Sequence, residues 1–166
     1  VETVVDVATC FSENASIKFF IIGEGSALDY VISHAEEKGV KNVTFLSLLN
    51  TTEYLHFLND IDIFLLPQKK TDFDVYFPSK LLGLMAAKKI ILLSADKDCE
   101  LYKTIKRNKI GFVTEYGDIK ALEEAVHEIL FSPAKREEIK QNAEKYVDNF
   151  DRELVLNRVL DKISRI

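Results

Sequence analysis

Ile17-Lys18-Phe19-Phe20-Ile21-Ile22-Gly23-Glu24-Gly25-Ser26 is a short apolar run that stops at a Gly-x-Gly turn and hands over to a helical stretch. The run is continuous rather than alternating, as expected of a strand whose two faces are both covered by helices. The same pattern recurs down the chain, at Val43 to Leu46, Ile63 to Leu66, Ile90 to Leu93 and Gly111 to Thr114. Apolar runs alternating with amphipathic helical stretches predict an α/β fold, a Rossmann-like parallel sheet with helices on both faces.

Several helices announce their starts. Asn50 followed by Glu53 has the spacing of a capping box, in which the Asn side chain takes an orphan amide and the Glu reaches back; Tyr54, Leu55 and Leu58 are expected on the inner face. Asp118 is placed to cap a helix burying Ile119, Leu122, Val126, Ile129 and Leu130. Ser132-Pro133 opens another, Pro being suited to a first turn where its missing N–H is not needed, with Ile139, Ala143, Tyr146, Val147 and Phe150 as its stripe. Asp151 opens a last helix carrying Val155, Leu156, Val159, Leu160 and Ile163, so three helices close the chain with no strand between them.

At the other end, apolar residues at 1, 4, 5, 7, 8 and 11 read as a helix already under way. Such a helix is expected to follow a strand that lies outside this sequence. In a doubly wound sheet the first strand is central, so a gap, or an exposed strand edge in need of a partner, is expected.

The 166 residues suit a single domain, 1–166, with one core. A hydrophobic share of 47% and a charged share of 30% are ordinary for a globular protein. The net charge of -5 argues against a surface for long nucleic acid. No apolar run approaches the roughly 20 residues of a membrane-spanning helix. Cys10 and Cys99 stand far apart with no CxxC spacing, which predicts neither zinc nor a disulfide; both read as buried small apolar residues in a reducing cytoplasm. His34, His56 and His127 fall within amphipathic helices, with no triad or metal pattern around them.

Two segments can carry chemistry. The turn Gly23-Glu24-Gly25 lets the backbone come close to a ligand, and the helix after it offers free amides to an anion. The full G-x-G-x-x-G spacing is absent because position 28 is Leu, so a tight turn without a ligand remains an equal reading. The second segment is Leu65-Leu66-Pro67-Gln68-Lys69-Lys70, then Asp74-Val75-Tyr76-Phe77-Pro78-Ser79-Lys80-Leu81-Leu82-Gly83-Leu84-Met85. A strand end, a loop and a Pro-led helix fall together where open α/β sheets bind ligands. That helix is apolar nearly all round and is expected to be buried. Lys80 in its first turn opposes the helix dipole at a cost of about 0.3–1 kcal/mol unless an anion lies nearby, or unless the side chain reaches out to solvent. Gly83 costs roughly 0.8–1 kcal/mol within a helix, which points either to close helix-on-strand packing or to a sugar beside that turn.

The order of these segments resembles the retaining GT-B glycosyltransferases of group 1, also called family four. The residues that carry the likeness are the strand before Gly23-Glu24-Gly25, Lys41-Asn-Val-Thr-Phe-Leu-Ser47, Asp60-Ile-Asp-Ile-Phe-Leu-Leu-Pro67, Pro78-Ser79-Lys80, Ile110-Gly-Phe-Val113 and Gly117-Asp118. The likeness covers nearly the whole chain and is nearest to colanic-acid and other exopolysaccharide transferases. It implies the C-terminal half of a GT-B fold, lacking its first strand, that binds a nucleotide diphosphate sugar of UDP or GDP type. Transfer would go, with retention and without metal or cofactor, to a glycan or lipid-linked acceptor. By position, Gly23, Glu24 and Gly25 would border the donor, backbone at Leu48 and Leu49 would face the base, and Tyr76, Phe77, Pro78, Ser79 and Lys80, with Gly83 beside them, would hold diphosphate and sugar. The acceptor-binding N-terminal domain is expected elsewhere, in a cytoplasmic protein whose contact with the inner membrane is left to that other half. No catalytic residue is assigned.

Departures from the family pattern are concrete. Its Glu-x7-Glu acids would fall on Val75 and Gly83, and Lys88 and Ile90 stand where Gly and Pro are usual. Two other readings stay open: a nucleotide-sugar epimerase of the same architecture, and a non-catalytic nucleotide-binding α/β module.

Overall fold

A computed structural model describes residues 2–69 and 79–150, with 79 and 80 described as backbone only. The chain runs α1 (Glu2–Thr9), β1 (Phe19–Ile22), α2 (Leu28–Glu37), β2 (Val43–Leu46), α3 (Thr51–Asp60) and β3 (Ile63–Gln68). It continues through α4 (Ser79–Ala86), β4 (Ile90–Ala95), α5 (Glu100–Asn108), β5 (Phe112–Glu115), α6 (Ile119–Phe131) and α7 (Pro133–Asp148). All five expected strands are present. The helix expected from Asp151 lies outside the described residues.

Every strand pair is parallel, and the strands form two sheets, β1-β2 and β3-β4-β5. Among the described residues nothing pairs with the free edges of β1 and β3, which is the expected gap. The two sheets still share a core: Phe19 of β1 and Ile63 and Leu65 of β3 pack in one cluster with Val7 and Phe11, and with Ile90, Leu92, Leu122 and Ile129. On the other face Leu81, Leu84 and Met85 of α4 pack with Ile91, Leu93, Leu101, Ile105 and Ala143. Helices therefore cover both faces, and β4, between two strands, is buried along its whole length while β3, with one open edge, is half-buried throughout.

Local rules explain most element ends. Asn50 Oδ1 accepts from the Glu53 amide at 3.0 Å and Glu53 Oε2 accepts from the Asn50 amide at 2.8 Å, the reciprocal capping box. Asp118 Oδ1 accepts from the Ala121 amide at 2.9 Å. Pro133 occupies the first turn of α7.

Four sequence readings need correction. Leu55 is 57% exposed, because the residues three, four and seven after Tyr54 are Phe57, Leu58 and Ile61, and these set the inner face. Phe150 is exposed, lying beyond the end of α7 against Tyr146. Cys10 is exposed rather than buried, and Cys99 is partly buried as the cap of α5, its sulfur accepting from the Tyr102 amide. Finally, α4 is not buried all round: Leu81, Leu84 and Met85 face the core, whereas Gly83, Ala86 and Ala87 are exposed.

The unusual Lys88 has a backbone explanation. The Lys88 amide donates to the Met85 carbonyl and the Lys89 amide to the Leu84 carbonyl, a Schellman ending that puts Lys88 at φ 56°. Gly39 does the same after α2 at φ 64°, and a side chain in that conformation costs about 1–2 kcal/mol. The Lys88–Glu144 ion pair is more than half exposed on both sides and offsets little of this. Lys88→Gly is therefore expected to raise the melting temperature by roughly 2–4 °C; an unchanged or lower value in a thermal melt would count against this account.

Asp6 joins α1 to α2, its Oδ1 lying 2.9 Å from His34 Nε2 and 3.0 Å from Lys38 Nζ. Partial burial pushes its carboxyl up, but the hydrogen bonds and positive charges of His34 and Lys38 outweigh burial and hold it below its ordinary value of 3.8. A depressed folded pKa stabilises the fold at neutral pH, and that contribution is lost as pH falls below about 4. Asp6→Asn is thus expected to lower the melting temperature at pH 7, with the difference from the parent shrinking as pH falls below 3.8 through the depressed folded pKa, checked by melts across a pH series.

Candidate functional site

In each β-α-β step one helix returns the chain to start a strand in the same direction, so the loops leaving the strands collect at one edge. Gly23, Glu24 and Gly25 leave β1 there. Gly23 has φ 155° and Gly25 φ 146°, a region only glycine enters readily, and nothing described lies within 4 Å of where a Cβ would stand on either. The Gly23 amide donates to the Leu46 carbonyl, so the turn lies beside the loop that leaves β2. That loop carries Leu48, 64% exposed, and Leu49, half-buried, and runs straight into the Asn50 capping box. The third contribution is α4, which begins at Ser79-Lys80 after the connection from β3. Tyr76, Phe77 and Pro78 lie outside the described residues, so of that segment only the backbone of Ser79 and Lys80 is placed.

Gly83 sits one turn along α4 from Ser79, exposed, with nothing described within 4 Å of a Cβ there. Tight helix-on-strand packing therefore does not explain this glycine. The first turn of α4 holds no acid, as in α6 and α7, while α2, α3 and α5 carry Asp29, Glu53 and Glu100 there.

A feature the sequence reading missed lies along the same edge, an open cleft of about 380 Å³ lined by Lys69, Asp96, Lys97, Asp98, Glu115 and Tyr116. All six directly follow the ends of β3, β4 and β5 or close them; reading every strand's carboxyl end, rather than only glycine turns, would have found them. Solvent-exposed polar contacts link its walls. Lys97 Nζ lies 3.2 Å from Glu115 Oε1, and the hydrogen bond to Glu115, then its charge, raises the Lys97 pKa. The Asp98 amide donates to Asp96 Oδ1 at 2.8 Å.

The histidines do not form a catalytic set at this edge. His34 is tied to Asp6, a pairing across 28 residues that no local pattern reveals, and His127 stacks on Phe131 and meets Phe11 at a tilt. Among the described residues no three His, Cys, Asp or Glu side chains are grouped to hold a metal ion, and no helix is long and apolar enough to cross a membrane.

A parallel α/β unit with helices on both faces, its strand-end loops gathered at one edge, is Rossmann-like in fold. Residues 1–146 match the family described as Glycosyl transferases group 1, and the chain belongs to that family. A probable glycosyltransferase, WbjE of Pseudomonas aeruginosa, is 30% identical over 117 residues, 70% of this chain and 29% of that protein. The chain thus spans less than a third of that curated relative. Among solved structures, Anabaena HepE in complex with UDP-glucose superposes over 99% of this chain and 44% of its own, at 13% identity and a TM-score of 0.76. The C-terminal domain of the group 1 family protein LpcC from Francisella tularensis covers 89% of this chain and 77% of its own, at 15% identity and a TM-score of 0.67. The fold is that of the GT-B glycosyltransferases.

Proposed function

We propose that this chain is the donor-binding domain of a glycosyltransferase, holding a nucleotide diphosphate sugar along the carboxyl edge of its sheets. What supports the reading is that the Gly23-Glu24-Gly25 turn, the Leu48-Leu49 loop and the start of α4 each follow the carboxyl end of a strand in these parallel sheets. The open glycine turn admits the ligand's backbone-side contacts, the Leu48-Leu49 loop faces the base, and Tyr76 to Lys80 hold the diphosphate and sugar. A helix start free of acids, with Lys80 in its first turn, suits a diphosphate, because amides and ammonium both favour negative charge. Exposed Gly83 leaves room for the sugar where the family usually has an acid. The UDP-glucose bound to HepE, a protein of the same fold, supports this class of ligand.

In the whole protein a second domain supplies the acceptor side, and transfer goes to a polysaccharide or glycolipid with retention, in the manner of exopolysaccharide enzymes. The protein works in the cytoplasm, reaching the inner membrane through that other half. The chain alone is expected to bind nucleotide weakly and to transfer no sugar.

Titration calorimetry with UDP, GDP and their sugars tests the site. Lys80→Ala is expected to weaken binding about tenfold, equivalent to roughly 1.4 kcal/mol. Undiminished binding by the variant would remove Lys80 from the diphosphate, and binding of neither nucleotide would remove the donor site.

A further inference from the structure

The chain carries a net charge of -5, and the outer faces of α2 and α6 share it, with Glu36 and Glu37 exposed on the first and Glu124 and Glu128 on the second. The outer face of α5 is the opposite. Leu101, Thr104 and Ile105 hold that helix to the core, and its exposed side carries Glu100, Lys103, Lys106 and Arg107, one acid against three cations. Glu100 stands 4.0 Å from Arg107 with both side chains largely exposed. Lys106 and Arg107 complement the helix dipole from the last turn, whereas Lys103, in mid-helix, lies beyond its reach. Beside α5 runs α7, where Asn142 Nδ2 donates to the Lys109 carbonyl at 3.2 Å. Burial raises the pKa of the Tyr146 hydroxyl, and the charges of Arg107 and Glu100 act on it in opposite senses. Tyr146 and, just past the end of α7, Phe150 follow Asn142 at successive helical turns, their rings 5.3 Å apart and Phe150 48% exposed. Exposed Lys145 precedes Tyr146. On the α5 side Lys106 Nζ lies 5.6 Å from the centroid of the half-buried Tyr102 ring.

We propose that the outer face of α5, together with the end of α7, docks on an anionic phospholipid bilayer. Lys103, Lys106, Arg107 and Lys145 supply the attraction, each cation held at a negatively charged leaflet raising its occupancy about fivefold. Their long stems let the charged heads reach the phosphates while the apolar parts lie along the protein. Tyr102, Tyr146 and Phe150 add rings that settle at headgroup level, which distinguishes a bilayer from a soluble polyanion as the partner. The acids of α6 do not oppose this, because α6 covers the opposite face of the sheet and charges more than about 10 Å from the bilayer are screened at 0.1 M salt. Because α5 begins just after the carboxyl end of β4, the docked face brings the ligand edge alongside the headgroups. The contact is additional to any made by the other half of the protein, and it does not depend on the donor site.

Co-sedimentation with two sets of vesicles tests the face, one of phosphatidylcholine alone and one with an equal part of phosphatidylglycerol. Binding is expected to the second set only and to be lost at high salt. It is expected to weaken about fivefold for each of Lys103→Gln, Lys106→Gln and Arg107→Gln, the three together reaching about a hundredfold. Thermal melts check that each variant stays folded, and the single variants carry the test if the triple one does not. The chain contains no tryptophan, so Phe150→Trp supplies an optical probe, whose emission is expected to move to shorter wavelength on the phosphatidylglycerol vesicles. Equal binding to both sets, binding to neither, or undiminished binding by the folded variants would overturn the proposal. So would an unshifted Phe150→Trp emission on vesicles that hold the protein. Binding to soluble polyglutamate with none to the vesicles would also overturn it, and would assign the face to an acidic protein.

Discussion

Gly111→Ala is expected to cost about 2–3 kcal/mol, enough to lower the melting temperature by several degrees. A Cβ at Gly111 would stand 2.8 Å from the Ile91 carbonyl oxygen, 3.0 Å from Ile105 Cγ2 and 3.3 Å from Ile91 Cβ. The carbonyl belongs to the backbone of β4, next to β5, and cannot move aside without disturbing the central ladder of the three-stranded sheet. Ile105 is fully buried and hemmed in by α5 packing. Ile105→Val in the same protein should recover almost none of the loss, because it removes only Cδ1 and keeps the Cγ2 methyl that the new Cβ would meet, while the tightest contact is with the backbone. Chemical denaturation of the single and double variants measures both quantities; a loss under 0.5 kcal/mol for Gly111→Ala would show that β5 shifts freely.

Leu93→Ala is expected to cost about 3 kcal/mol, within the range for fully buried leucines. Leu93 has no exposed surface and lies in β4 between the ladders of β3 and β5, under Leu84 and Met85 of α4 and Leu101 of α5. Helix and sheet close around it from several directions, so the surroundings cannot collapse into the space left behind. Leu66, in half-buried β3, makes the natural comparison: Leu66→Ala should cost clearly less. Equal losses in urea titrations of the two variants would mean that β3 is as enclosed as β4, against the open edge seen here.

Much of this architecture was legible in the sequence because continuous apolar runs and capping residues are local signals. Val43 to Leu46 was read with its observed ends, and the Asn50–Glu53 box formed as its spacing predicts. Strand ends that ran on, to Gln68 and Ala95, did so because ladder partners extend pairing past the last apolar residue. Leu55 misled because apolar character alone does not fix helix phase, which is set by what the sheet presents to Tyr54 and Leu58. The Asp6–His34 pair and the close approach of Gly111 to Ile91 depend on contacts between distant segments, which no short window contains. Of the candidate site, the glycine turn was legible, whereas the cleft around Lys97 and Glu115 was not, since ordinary charged residues acquire meaning only when three strand ends bring them together.

The Asn50–Glu53 capping box sits directly after Leu48-Leu49 and locks the chain at the point where that loop enters α3. A loop clamped in this way has already given up much of its conformational freedom before any ligand arrives. Whatever binds against it pays less ordering entropy on arrival, so loosening the clamp by Glu53→Ala should show as a less favourable entropy of association rather than as a lost contact.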